Sequence, residues 1–214
     1  MEKIRAQIKR CGLVPVIALK DAEDAVPLAK ALLAGGISVA EVTFRTDAAE
    51  ASIRRIAAEV PEMLVGAGTV LTAEQAERAA AAGAKFLVSP GTDVDVIRKA
   101  QALDVLMLPG AVTPTEIITG LKEGIDLFKF FPAGCYGGLK TMKALAAPFA
   151  HITFIPTGGV GPDNLAEYLS FSKVEAVGGS WMCPGELIDA GRWDAITELA
   201  QDAMEIRRNA AAGA

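Results

Sequence analysis

The run Leu127-Phe128-Lys129-Phe130-Phe131-Pro132 is apolar on both sides of a single lysine and is followed by Ala133-Gly134. It reads as a buried strand ending at a loop, since aromatic residues favour pleated surfaces and proline and glycine punctuate them. An ammonium in such a run costs several kcal/mol to desolvate and tends to lose its proton. A neutral amine is a nucleophile, and one held on a strand among aromatics is prepared to attack a ketone and form a Schiff base. Two readings stand: an edge-strand lysine with its head in solvent, or a buried nucleophile. The flanking aromatics argue for the second.

Seven further short apolar runs resemble this one. They span Val14 to Ala18, Val39 to Phe44, Leu64 to Thr69, Phe86 to Ser89, Val105 to Leu108, Ile152 to Pro156 and Val174 to Gly178. Between them lie alanine-rich segments with apolar residues at helical spacing, such as 22–34, 47–59, 73–82, 93–103 and 114–122. Asp21, Thr72, Thr92 and Thr113 are candidate N-caps, Pro114 and Pro162 suit first-turn positions, and Gly35, Gly83 and Gly124 supply stops. A repeat of roughly 20 to 26 residues is the length of a βα unit, and about eight of them predict an α/β fold of the (β/α)8 TIM-barrel type. An open doubly wound sheet is the alternative, but no GxGxxG follows the first strand. Residues 1–10 are expected to form a short helix plugging the N-terminal end of the barrel, and 209–214 a frayed tail.

Composition narrows the function. A chain of 214 residues, 51% hydrophobic and with mean hydropathy +0.34, fits a single barrel domain spanning 1–214. No apolar stretch is long enough to span a bilayer and the N-terminus lacks the order of a signal peptide, so a soluble, cytoplasmic protein without a membrane partner is expected. A net charge of −5 argues against nucleic acid. Cys11, Cys135 and Cys183 are widely spaced and read as small buried hydrophobes in a reducing compartment. The single histidine, His151, rules out two- and three-histidine zinc sites, and no metal or cofactor is called for.

In a TIM barrel the chemistry gathers at the C-terminal ends of the strands. The second ends Glu41-Val42-Thr43-Phe44-Arg45-Thr46, where period-two alternation places Glu41 and Arg45 on one face, directed into the barrel. A structural ion pair in the barrel mouth is the plain reading; with Lys129 present, a functional one is favoured. Strands seven and eight lead into Thr157-Gly158-Gly159-Val160-Gly161-Pro162 and Gly178-Gly179-Ser180. Gly-rich loops there can present backbone N–H groups and a helix N-terminus to a phosphate.

Taken with Val65-Gly66-Ala67-Gly68-Thr69-Val70, Val88-Ser89-Pro90-Gly91, Pro109-Gly110-Ala111-Val112-Thr113-Pro114 and Phe128-Lys129-Phe130-Phe131-Pro132-Ala133, these segments resemble the 2-keto-3-deoxy-6-phosphogluconate (KDPG) aldolases over about 14–206. The resemblance implies a metal-free, cytoplasmic, homotrimeric class I aldolase of the Entner–Doudoroff pathway. Such an enzyme cleaves its phosphorylated 2-keto acid to pyruvate and glyceraldehyde 3-phosphate. A related activity, cleavage of 4-hydroxy-2-oxoglutarate to pyruvate and glyoxylate, uses the same site without phosphate. Carried over by motif, Lys129 is the Schiff-base lysine and Glu41 the proton shuttle. Arg45 and Thr69 hold the pyruvyl carboxylate, Pro90 and Phe131 line the pocket, and Gly158, Gly159, Gly179 and Ser180 receive the phosphate. Thr157 before the Gly-Gly turn looks like the gluconate branch; a phosphogalactonate aldolase and a non-catalytic sugar-phosphate-binding barrel are the rivals. Phe44 and Gly134-Cys135-Tyr136 depart from the family pattern and put loop shape and pocket wall in doubt.

Overall fold

The computed structural model describes residues 1–212. Strands and helices alternate from the start: α1 (Glu2–Cys11), β1 (Leu13–Ile17), α2 (Ala25–Ala34), β2 (Val39–Thr43), α3 (Ala49–Glu59), β3 (Leu64–Gly68), α4 (Ala73–Ala81), β4 (Phe86–Val88) and α5 (Val94–Ala102). They continue with β5 (Leu106–Leu108), α6 (Pro114–Lys122), β6 (Leu127–Phe130), α7 (Gly138–Ala146), β7 (Thr153–Pro156), α8 (Pro162–Leu169), β8 (Val177–Gly179), α9 (Gly185–Asp189) and α10 (Trp193–Ala212).

All strand pairs are parallel, and a continuous ladder joins six strands in the order β5-β4-β3-β2-β1-β8. Strands β6 and β7 pair with each other and meet this curled sheet only through isolated bridges, Gly110 to Lys129 on one side and Phe154 to Val174 and Thr157 to Gly178 on the other. The expected eight-stranded barrel is therefore present as a six-stranded half-barrel and a two-stranded ladder, with no continuous eight-strand ladder among the described residues. The breaks fall at the outer edges of β5 and β8, strands of three residues each.

Alternation decides which way each side chain faces. In β6, Phe128 and Phe130 turn to the helix side, where a ring carbon of Phe128 lies where a Cβ on Gly120 of α6 would be, and Phe130 packs edge-to-face on Phe154 with centroids 6.0 Å apart. Both rings are fully buried, which stabilises the fold by roughly 1.5–3 kcal/mol each. Lys129 between them is left on the concave face.

Helix starts follow local chemistry. Thr113 caps α6 by accepting from the Glu116 N–H, and the Glu116 carboxylate accepts back from the Thr113 N–H, with Pro114 in the first turn. At α5 the cap is Asp93, accepting from Val96 N–H, and not the expected Thr92, whose hydroxyl donates to the Gly110 carbonyl instead. The last strand begins at Val177, later than the expected Val174: Val174 and the Glu175 N–H make only an isolated bridge to Phe154, and the ladder with β1 starts at Val177; Gly179 belongs to β8, in register with Pro15. Helix α10 continues through Asn209–Ala212, where a frayed tail is expected, and residues 213–214 lie outside the described residues. Cys11 and Cys183 are buried as expected, whereas Cys135 is exposed on the loop after β6.

Candidate active site

Lys129 and Glu41 meet on the concave face. Glu41 rises from the middle of β2, Lys129 from β6, and Lys129 Nζ donates to Glu41 Oε1 at 3.1 Å. Both are buried, at 5% and 2% exposure. Val14, Val88, Leu108 and Ile155 wall the pair, and the ammonium lies 5.2 Å from the centre of the Phe131 ring. Sequence alone expects a lone desolvated amine. The structure adds an acid in contact with it, so the proton that a nucleophilic amine must lose has an acceptor in place.

Above this pair opens a cavity of about 370 Å³. Of the anticipated residues, Arg45, Phe131, Thr157, Gly158, Gly159, Gly179 and Ser180 line it together. Thr157 touches both spaces: it faces the Lys129 pair below and the cavity above, and its buried hydroxyl has no partner among the described residues. Arg45 stands just past β2, exposed, and donates through Nε to the Thr69 hydroxyl at 3.3 Å. Thr69 holds a left-handed backbone with φ 55°, a conformation that costs a β-branched residue free energy. Pro90 is exposed beyond β4 and contributes nothing to the cavity wall.

The Gly158-Gly159 turn after β7 uses two successive left-handed residues, φ 87° and 77°, which glycine adopts without steric cost. Two contacts hold it that sequence reasoning missed. Asn164 in the first turn of α8 accepts from the Gly161 N–H at 2.9 Å and donates to the Gly159 carbonyl at 3.1 Å. Its signal was present in Gly161-Pro162-Asp163-Asn164, an amide at the third helical position, where side chains reach back to the cap. From the other side, Ala133 and Gly134 N–H groups donate to the Thr157 and Gly158 carbonyls. These backbone bonds hold the loop after β6 against the glycine turn. Trp181, Cys183 and Ile188 complete the wall, also unanticipated. Burial pushes the Cys183 thiol up to about 12, so it serves there as an apolar surface. Phe44 turns away from the cavity and packs under Arg78, which removes it as a pocket wall.

The arrangement offers an amine and a carboxylate in contact, a guanidinium and hydroxyl at the rim, and a glycine turn at the far end. No helix among the described residues is long and apolar enough to cross a membrane. Comparison with known proteins agrees with the geometry. The KDPG and KHG aldolase profile matches residues 4–199. A 2-dehydro-3-deoxy-phosphogluconate aldolase from Pseudoalteromonas atlantica is 48% identical over 90% of this chain and 89% of its own length. A KHG/KDPG aldolase from Escherichia coli is 47% identical, covering 90% and 91%. Among solved structures, a KDPG aldolase from Legionella pneumophila with pyruvate captured as a covalent carbinolamine superimposes with a TM-score of 0.90 at 41% identity, covering 94% of this chain and 97% of that one. With a buried lysine and acid in contact on the concave face of its strands, the chain belongs to the KDPG and KHG aldolase family.

Proposed function

We propose that this chain is a class I aldolase that cleaves 2-keto-3-deoxy-6-phosphogluconate to pyruvate and D-glyceraldehyde 3-phosphate. The observation that carries the reading is the 3.1 Å contact between Lys129 and Glu41 on a buried concave face beneath an open cavity. Lys129 passes a proton to Glu41 and its amine adds to the C2 ketone. Glu41 returns that proton to the departing hydroxyl, and loss of water leaves an iminium with the carboxylate ionised again. Glu41 then takes the proton of the C4 hydroxyl, the C3–C4 bond breaks, and its electron pair flows to the iminium nitrogen, giving the aldehyde and an enamine. Protonation of the enamine at C3 and hydrolysis of the new iminium release pyruvate and restore the lysine.

Arg45 and Thr69 take the substrate carboxylate, a pairing supported by their mutual hydrogen bond at the rim. Phe131 bounds the pyruvyl end. Gly158, Gly159, Gly179 and Ser180 receive the phosphate, which fixes orientation far from the bond that breaks. The partnerless Thr157 hydroxyl, placed between the two ends, favours the gluconate over the galactonate epimer by giving the substrate a hydrogen-bond partner. The same lower site accepts 4-hydroxy-2-oxoglutarate, which lacks a phosphate, in keeping with the dual name of the Escherichia coli relative. A barrel that merely binds a sugar phosphate leaves a buried lysine and acid in contact without a role.

On this reading the chain works as one domain, a (β/α)8 barrel closed by β6 and β7. It is a cytoplasmic homotrimer and needs no cofactor. Incubation with pyruvate and borohydride tests the chemistry: one reduced pyruvyl group is expected on Lys129. An adduct mapped to Lys140 or Lys143 overturns the assignment. Ser180→Asp tests the far end, with an expected rise in KM for the phosphorylated substrate and little change for 4-hydroxy-2-oxoglutarate.

A further inference from the structure

The concave face of β3 carries no side chain at two successive inward positions, Gly66 and Gly68. The space over Gly66 is filled by the ring of Phe86 from β4, with ring carbons where a Cβ would stand. The space over Gly68 is filled by Glu41. A Cβ built on Gly68 lies 2.7 Å from both Cγ and Cδ of Glu41 and closer still to Oε1, the atom that holds Lys129. Contact between such atoms needs about 3.5–4.0 Å.

Gly68 is not demanded by its backbone, because its φ lies outside the left-handed region. The next residue, Thr69, is left-handed and is not glycine. The two choices run opposite to local backbone preference. Nor can the strand step aside: Gly68 is in register with Thr43, its carbonyl accepts from the Phe44 N–H at 2.8 Å, and on the other edge Val70 N–H donates to Val88. With β3 held from both sides, the group that must yield is the Glu41 side chain.

We propose that Gly68 is a positioning residue for proton transfer: its bare α-carbon is the seat of the Glu41 carboxylate, and a side chain there moves that carboxylate off Lys129. The inference rests on the reading of Glu41 as the proton-transfer group. It adds a residue that touches neither substrate nor lysine and acts only through Glu41.

The test is a double-mutant cycle on Gly68→Ala and Glu41→Ala, read by kcat, KM and enzyme-catalysed exchange of pyruvate methyl protons with deuterated solvent. Gly68→Ala is expected to lower kcat and exchange by roughly 10²-fold, the contribution of a positioned acid/base, while KM stays within about 2-fold. In the Glu41→Ala background, where the space is empty, the same change is expected to cost less than about 2-fold, the range of independent sites. Equal losses in both backgrounds overturn the proposal, since Gly68 would then act without Glu41; so does near-normal exchange in Gly68→Ala. If Gly68→Ala folds poorly, the cycle is read on thermal midpoint: the double variant melting above Gly68→Ala supports the seat, and equal loss in both backgrounds overturns it. Normal exchange in Glu41→Gln is a separate result, which removes the role of Glu41 itself and with it the seat.

Discussion

Two carboxylates are buried beneath cations at opposite ends of the strands, and they are built differently. At the N-terminal end, Glu175 accepts from Arg5 Nε at 3.1 and 3.2 Å, from a terminal Arg5 nitrogen at 2.6 Å, and from the Thr153 hydroxyl at 2.8 Å. Arg5 reaches on to Asp126 at 2.6 Å, so α1 is fastened to the entries of β6, β7 and β8. At the C-terminal end, Glu41 has one side-chain partner, Lys129, at 3.1 Å, and the neighbouring Thr157 hydroxyl has none among the described residues. An ionised carboxylate offers about four acceptor sites. Glu175 spends its sites on the fold, whereas Glu41 keeps most of them open. A saturated buried pair fixes structure, and an unsaturated one beside a cavity is prepared to bind and to move protons.

The largest expected effect breaks the C-terminal pair as a unit. Lys129→Met combined with Glu41→Gln should lower turnover by roughly 10⁴–10⁶-fold, the range in which loss of a nucleophile falls. Its thermal midpoint should hold or rise, because replacing a whole buried pair by neutral groups of similar shape is often neutral or stabilising. A large drop in midpoint with modest loss of turnover would invert the assignment of the two pairs.

Glu41→Gln alone should cost roughly 10²-fold in kcat. The matching change at the other end, Glu175→Gln, should leave kcat within about 2-fold while destabilising the chain by about 1–3 kcal/mol, the cost of leaving buried donors poorly paired. Arg5→Ala sharpens the contrast by exposing Glu175 as a lone buried charge. Because the Arg5 side chain is 29% exposed, about 2–3 kcal/mol is expected, below the full penalty of a dry site. Denaturation midpoints and steady-state rates on the same preparations check both.

How much of this was legible in the sequence follows from the range of the interactions. Strand and helix identities rest on local periodicity, and Leu127 to Phe130 or Pro114 to Lys122 read correctly because their patterns are self-contained. The pairing of Lys129 with Glu41 links residues 88 apart; alternation turns Glu41 inward, and the family resemblance names both as site residues, but their contact is set by the fold. The Arg5 network was invisible: nothing local marks Arg5 among its neighbours on α1, and its partners lie 121 to 170 residues away. The start of β8 was misplaced for the same reason, since Val174-Glu175 has strand-like composition but is held by tertiary contacts. Thr92 is the expected cap of α5, but the Gly110 carbonyl, brought in by the sheet, takes its hydroxyl and the cap falls to Asp93.

The smallest effect is a pH dependence confined to the N-terminal network. Burial alone pushes the Glu175 carboxyl up, but the hydrogen bonds from Arg5 and Thr153 and the Arg5 charge outweigh it, holding it below its ordinary value of 4.5. A carboxyl lowered by folding contributes stability that is fully present above the unfolded value and lost as pH falls through the folded one. Wild-type protein should therefore melt at a steady excess over Glu175→Gln near neutrality, with that excess shrinking below about pH 4.5 as the native carboxylate takes up its proton. The Arg5 guanidinium stays charged throughout and cannot produce the trend. For a chain of this size each kcal/mol moves the midpoint by about 2–4 °C, within reach of calorimetry. A gap that stays constant into acid would mean that the shape of the Glu175 side chain, and not its charge, holds α1 in place.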